Sequence, residues 1–116
     1  MATHSISMQG IGADYLTAKK GSAATVGYPC HFSANDTVAN SAAAAAFSGV
    51  VEAVRGTLVT VQYRGFVTVP YSGTAPSVGY GILVADGSGG VKSAQSGNSY
   101  LIVHVDTTAG TLCLLL

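Results

Sequence analysis

Hydrophobic and polar residues alternate over the central part of the chain, and this alternation predicts β-strands. In residues 57–64, Val59, Val61 and Tyr63 share one face, which is typical of a strand with one face in the core and one in solvent. We therefore expect these three side chains in the core. The alternation resumes in residues 66–71 after a glycine, which predicts a hairpin or a sharp corner at Gly65 with a positive φ.

Further strands are predicted where apolar runs lie between turn residues: over 80–85, over 100–106 and over 111–116. The segment Asp86–Gly90 reads Asp-Gly-Ser-Gly-Gly and predicts a turn. The last strand is apolar on both faces, so we expect it to be buried on both sides. Short strands at this spacing with glycine-rich turns predict an all-β protein, a small β-sandwich or a partly open β-barrel.

The N-terminal part of the chain gives a weaker pattern. Residues 1–24 show neither alternation nor a helical stripe, and we interpret them as an extended arm that precedes a single β domain over residues 25–116. Pro29 restricts the first predicted strand to an edge or a bulge. The run of five alanines over residues 42–46 is too short for a stable helix and is expected to form a tight loop or a single turn.

The composition indicates a subunit of an assembly. Only 9% of the 116 residues are charged and the net charge is zero, so most of the surface is neutral, as suits a chain whose faces are covered by partners. Lys19-Lys20 is the only basic pair, which argues against a nucleic-acid partner. The sequence contains no apolar run long enough for a membrane span and no signal-peptide pattern at its start, so we expect synthesis in the cytoplasm with Cys30 and Cys113 reduced.

No motif in the sequence predicts catalysis or a cofactor. Asp86 lies in a turn without the further carboxylates of a calcium loop. The three histidines are far apart and lack the spacing of metal ligands. Cys113 lies among leucines, where burial would suppress thiolate formation. We therefore expect no enzyme activity, no metal and no cofactor, although sequence spacing leaves open a cysteine-dependent hydrolase whose cysteine and histidine meet in the fold.

Four separated blocks in the second part of the chain resemble the phage capsid cement family of small head decoration proteins. The blocks are Phe47–Gly56, Val67–Pro76, Val78–Gly81 together with Val84–Val91, and Val103–Gly110 before an apolar C-terminal strand. They follow one another in the order of the family within the segment of about 70 residues from Phe47 to the C-terminus. The first 46 residues add little to the resemblance.

The resemblance implies a structural virion protein without catalytic residues. It implies a small β-rich subunit, forming a homotrimer, that binds the outside of an expanded icosahedral phage head. Its partner would be the major capsid protein, at the three-fold and quasi-three-fold junctions. A protein that binds only the expanded state would stabilise that state by linkage.

Candidate contact residues lie at the two ends of the chain. Isolated apolar residues in the polar arm have no core of their own to join, so we expect them to contact the shell or a neighbouring subunit. The C-terminal strand is expected to pack in the core or at a subunit interface. The candidates are Ile6, Met8, Ile11, Tyr15, Leu114 and Leu116.

One other function class is compatible with the sequence. Exposed tyrosines such as Tyr80 and Tyr100 could stack on sugar rings, which would make the protein a small carbohydrate-binding β module. This alternative predicts that both tyrosines are accessible in the folded protein.

Overall fold

In a computed structural model, which describes residues 12–116, the chain folds into two β-sheets, and no helix is present in this range. The sequence prediction of an all-β protein is confirmed. The ten strands are β1 Asp14–Lys20, β2 Pro29–Ala34, β3 Thr37–Asn40, β4 Gly49–Arg55, β5 Leu58–Arg64, β6 Phe66–Pro70, β7 Gly79–Ala85, β8 Val91–Ser93, β9 Ser99–Asp106 and β10 Thr111–Leu115.

Strands β1 to β5 form a closed barrel, here called the first barrel. Their order around the barrel is β1-β3-β2-β4-β5, and antiparallel pairing of β5 with β1 closes it. The pairing of β1 with β3 is parallel. Small and β-branched residues fill the interior, including Ala18, Val51, Val59 and Val61, because a five-stranded barrel has little room for larger side chains.

Strands β6 to β10 form the second sheet, in the order β6-β10-β9-β7-β8. The two edge strands of this sheet approach each other, since Tyr71 at the end of β6 forms a parallel bridge with Val91 of β8. The amide of Ser72 also donates to the carbonyl of Val91 at 2.9 Å. The sheet is therefore curled and joined at one point, in agreement with the prediction of a partly open barrel.

The change from β5 to β6 is a corner and not a hairpin. The two strands are separated by Gly65 alone, yet β5 pairs with β1 and β4 whereas β6 pairs with β10. Gly65 has a φ of +96°, a conformation open to glycine and rarely to other residues. Of the two expected possibilities, the corner is confirmed, and it transfers the chain from the first barrel to the second sheet.

Part of the predicted N-terminal arm belongs to the first barrel. Residues 14–20 form β1, which is paired on both sides, so the sheet structure begins at Asp14, within the expected arm. In β1 only Leu16 and Ala18 face the interior. Two apolar residues are too few to show a clear alternation in the sequence. Similarly, β3 occupies residues 37–40, where the sequence predicted no strand.

The two sheets share one topology, which makes the chain an internal structural duplication. Strands β1 to β5 match β6 to β10 in order. The pairings β1–β5, β4–β5, β2–β4 and β2–β3 are antiparallel, and so are β6–β10, β9–β10, β7–β9 and β7–β8. The pairing β1–β3 is parallel, and so is the bridge between the end of β6 and β8. Even the extra residue in the fourth strand recurs, as Glu52 in β4 and Val103 in β9. The sequence carries a faint trace in Val26-Gly27-Tyr28 and Val78-Gly79-Tyr80.

Core positions of the two sheets correspond in four of the five strand pairs. The strand registers match seven core positions of the first barrel with seven of the second sheet: Leu16 with Val67, Ala18 with Val69, Val38 with Val91, Val51 with Ile102, Val54 with Val105, Val59 with Leu112 and Val61 with Leu114. The residue of the second set is larger in four pairs, identical in two and smaller in one. The second sheet therefore encloses a bulkier core than the first barrel does.

We call the part of the chain that contains β1 to β5 the first half and the part that contains β6 to β10 the second half. Within the described residues, apolar side chains of the first half are buried in the core of the second half, but the reverse does not occur. Phe47 and Val50 belong to the first half, but both are buried in the core of the second sheet. The core of the first barrel contains no residue beyond Val61. The second sheet thus completes its core with side chains of the first half, and the first barrel receives nothing comparable in return.

Candidate interaction surface

One end of the first barrel is open and apolar; we call this opening the barrel mouth. It encloses about 260 Å³, which exceeds the roughly 150 Å³ of a cavity that holds benzene. Phe32 and Tyr63 stand at its rim, with 47% and 40% of their surfaces exposed. The residues that line it are Leu16, Cys30, His31, Phe32, Val38, Ser48, Val61 and Tyr63.

The mouth exists because two neighbouring strands diverge. Strand β4 pairs with β2 at only two positions, opposite Pro29 and Cys30. The amide of Ser48 adds one hydrogen bond to the carbonyl of Cys30 at 2.7 Å. Beyond Cys30, no described strand pairs with this side of β2, so the inward-facing side chains at this end are uncovered. Tyr63 faces the interior as predicted, but it lies at the open end and is exposed where we expected a core residue.

Polar side chains in the lining of the mouth are few, namely those of His31 and Ser48. The Nδ1 atom of His31 lies 3.5 Å from the hydroxyl of Ser41, which itself donates to the carbonyl of Ala46 at 3.1 Å. The remaining lining is dominated by aliphatic and aromatic carbon. Such a surface binds apolar side chains better than it binds sugars or ions, which need convergent hydrogen-bonding groups.

The two cysteines are buried in different halves of the molecule, and neither forms a disulfide. Burial raises the pKa of the Cys30 thiol to about 11. Burial also raises the pKa of Cys113, which a hydrogen bond with Thr68 lowers to a smaller extent. Because the thiolate is the nucleophile, both groups are poor nucleophiles at neutral pH.

We expect both thiols to resist alkylation in the native protein. Iodoacetamide at pH 7.5, followed by mass spectrometry of the intact chain, should show no adduct after a time that fully alkylates the same protein in urea. The unfolded protein is the control for reagent activity. Fast modification of native Cys30 would contradict this expectation and favour the cysteine-dependent hydrolase.

Asp86 has a structural role in the turn between β7 and β8. Its Oδ1 atom accepts hydrogen bonds from the amides of Ser88 and Gly90 at 2.7 and 3.0 Å, and its Oδ2 atom accepts one from the hydroxyl of Ser72. Partial burial raises the pKa of this carboxyl, but the hydrogen bonds outweigh it, so that the pKa is lowered overall. These contacts use the carboxylate to fix the turn and to join it to the end of β6.

Two features are absent from residues 12–116. No group of three or more histidine, cysteine, aspartate or glutamate side chains is placed to hold a metal ion there. In the same range, no helix has the length and hydropathy that would let it cross a membrane.

The predicted contact residues fall into different environments. Ile6, Met8 and Ile11 lie outside the described residues. Tyr15 lies in β1 and is 47% exposed. Leu114 is fully buried in the core of the second sheet, and Leu116 packs against that core. Of the two roles expected for the C-terminal strand, the structure assigns the core, since Leu112, Cys113 and Leu114 are all buried in β10, between β6 and β9.

The tyrosines named for sugar stacking differ in accessibility. Tyr80 is 79% exposed. Tyr100 instead stacks on Phe47, with ring centroids 4.9 Å apart and planes 7° from parallel, and its hydroxyl donates to the Phe47 carbonyl at 3.1 Å. One ring face of Tyr100 is therefore occupied, and the two tyrosines do not form a common platform.

Sequence analysis missed Gln62, which is a buried polar residue. Its position between Val61 and Tyr63 indicates the outer face of a strand, yet it is 1% exposed because the second half covers that face of the first barrel. Its Nε2 atom donates to the carbonyls of Arg64 and Phe66 at 3.1 Å each. Gln62 thus holds the corner at Gly65 from both sides. A polar residue in an alternating strand gives no sign of such burial.

The extra residue Val103 explains a further difference from the alternation in β9. Simple alternation places Ile102 and His104 together on the outer face, opposite Val105. In the structure, Val103 has no partner in β10, so the side-chain parity changes there. Ile102 is consequently buried, and Val105 packs against the same core.

No model of a protein family matches the chain, and a search of curated proteins finds no match.

Proposed function

We propose that this protein is a capsid decoration protein, a structural subunit that binds the outside of an expanded phage head at three-fold and quasi-three-fold junctions as a homotrimer. The observation that carries the proposal is the apolar barrel mouth with its exposed rim residues Phe32 and Tyr63. Contiguous exposed apolar surface on a chain with few charges is typical of a protein-binding face. The partners would be the major capsid protein and further copies of the same chain.

The four blocks of the family resemblance support the proposal by their place in the fold. They begin with Phe47, which joins the halves, continue through β4, β6, β7 and β9, and end in the turn before β10. They therefore include the residues that connect the two sheets as well as strands of the second. The resemblance therefore concerns residues that build the fold and is not limited to isolated turns.

The mechanism would be thermodynamic linkage. A subunit that binds the expanded shell and not the compact shell stabilises the expanded state. The stabilising free energy per site grows with the logarithm of the ratio of free subunit concentration to Kd. Each copy adds a small free energy, and many copies act on one shell. The protein would need no catalytic group for this activity, and it would act on the outer surface of the virion after synthesis in the host cytoplasm.

The N-terminal apolar residues provide the sharpest test of shell binding. Replacement of Ile6, Met8 and Ile11 by serine should reduce co-sedimentation with expanded heads of the phage that carries this chain by about tenfold or more, because three apolar contacts of roughly 1 kcal/mol each are lost. The measurement is the bound fraction across a concentration series. These substitutions leave β1 intact, since that strand begins at Asp14.

A matched variant controls for changes in the arm that leave its apolar residues in place. Replacement of the interleaved polar residues Ser5, Ser7 and Gln9 by alanine should leave binding within about twofold. Light scattering at two concentrations gives the oligomeric state in parallel, and we expect a trimer. A monomer that fails to bind expanded heads would contradict the proposal.

A further inference from the structure

We propose that the mouth of the first barrel is a binding site for the apolar side chains of the N-terminal segment of the same chain, residues 1–11. This inference does not depend on the proposed function, because it concerns the isolated protein and holds whether or not the protein binds a capsid. It follows from the internal duplication, from the surface of the mouth and from the position where β1 begins.

The corresponding region of the second sheet is covered. Three residues that line the mouth, Leu16, Val38 and Val61, correspond by strand register to Val67, Val91 and Leu114. All three of the latter belong to the buried cluster that contains Phe47. An aromatic side chain from outside the sheet therefore completes the core in the second half.

The described residues supply no such side chain to the first barrel. The position of Phe47 precedes β4, and the same position before β9 is occupied by Asn98, which is polar and exposed. The core of the first barrel holds residues between Leu16 and Val61 only. The mouth is consequently left with an apolar lining and two exposed aromatic rings at its rim.

The N-terminal segment has the composition and the position of an occupant. Residues 1–11 contain Ile6, Met8 and Ile11 and no lysine, arginine, aspartate or glutamate, so they match an apolar site with little polar lining. Only Gly12 and Ala13 lie between this segment and β1, the strand whose Leu16 lines the mouth. An extended segment of this length reaches about 36 Å. A tethered ligand has an effective concentration in the millimolar range, which favours the same chain over another copy.

Binding in the mouth would compete with other uses of the segment. The same three apolar residues are the proposed contacts with the shell, so shell binding would have to withdraw them from the mouth. The free energy of mouth binding would then be subtracted from the free energy of docking. In the free subunit, binding in the mouth would shield these apolar residues from contact with other proteins.

The methionines of this chain allow a direct test. Both of them, Met1 and Met8, lie in the segment, so photo-methionine places its crosslinking group nowhere else. After irradiation of the full-length protein, we expect crosslinks from the segment to the tryptic peptides over 21–55 and 56–64, which carry every mouth residue except Leu16. The products should have the mass of one chain. Crosslinks mainly to 65–92 and 93–116, products with the mass of two chains, or no internal crosslinks would each overturn the proposal.

The duplication supplies a matched pair of variants for the same test. Ser48 lines the mouth, and Ser99 is its counterpart at the start of β9; both are exposed. Ser48→Glu places a carboxylate at the rim and should lower the yield of mouth crosslinks about tenfold, because an apolar ligand would then bury a charge. Ser99→Glu should leave the yield within about twofold. Equal yields in the two variants would overturn the proposal, and melting curves establish that both variants are folded.

Discussion

Replacement of Phe47 by alanine should lower the free energy of unfolding by about 3–5 kcal/mol, the usual loss for a buried phenylalanine. Phe47 is 3% exposed, belongs to the core of the second sheet and stacks on Tyr100. Because it extends from the loop before β4, its loss removes a principal contact between the two halves. Urea unfolding followed by circular dichroism measures the change.

A second phenylalanine in the same half serves as the control for Phe47. Phe32 is 47% exposed at the rim of the barrel mouth, so Phe32→Ala should cost less than about 1 kcal/mol in a protein without its N-terminal segment. The comparison is best made in a chain that lacks residues 2–11. A loss for Phe47→Ala no greater than that for Phe32→Ala would show that the loop does not hold the halves together.

Replacement of Gly65 by alanine should destabilise the protein by about 3–5 kcal/mol, because conformational strain and overpacking add at one position. The φ of +96° is unfavourable for any residue with a Cβ atom. A Cβ atom at this position would also lie 2.6 Å from the Cα and N atoms of Ala13. Backbone atoms cannot rotate away as a side chain can, so the corner or the start of β1 would have to move.

Gly56 provides the matched control, since it has a φ of +58° in the turn between β4 and β5 and no atom within 4 Å of an added Cβ. Gly56→Ala should therefore cost only about 1 kcal/mol, from the backbone conformation alone. Thermal and urea denaturation of the two variants separate strain from steric contact. Similar losses in both would show that the close approach to Ala13 is relieved easily.

The local sequence was sufficient for most of the strands in the second part of the chain. Alternation and turn residues placed β5, β6, β7, β9 and β10 close to their observed bounds. The two apolar faces of β10 correctly indicated a strand buried on both sides. The reason is physical: a strand with one face in a core has a period of two, and glycine-rich turns interrupt it.

The same rules failed where burial comes from the other half of the chain. Gln62 and Tyr100 resemble exposed residues in their strands, yet both pack at the junction between the halves. Strand β1 was not predicted and lies within the expected arm. Its only inward-facing apolar residues are Leu16 and Ala18, and two residues do not make a recognisable alternation. Ile102 and Val105 share a core only because an extra residue lies between them.

The sequence by itself determined the fold class, most strands and the corner at Gly65, because alternation, turn composition and the freedom of glycine act over a few residues. Only the tertiary structure decided that the chain contains two matching sheets, that Phe47 completes one core, and that the corresponding mouth of the other is open. Strand order and the covering of one half by the other depend on contacts between residues far apart in the chain, which local patterns do not encode.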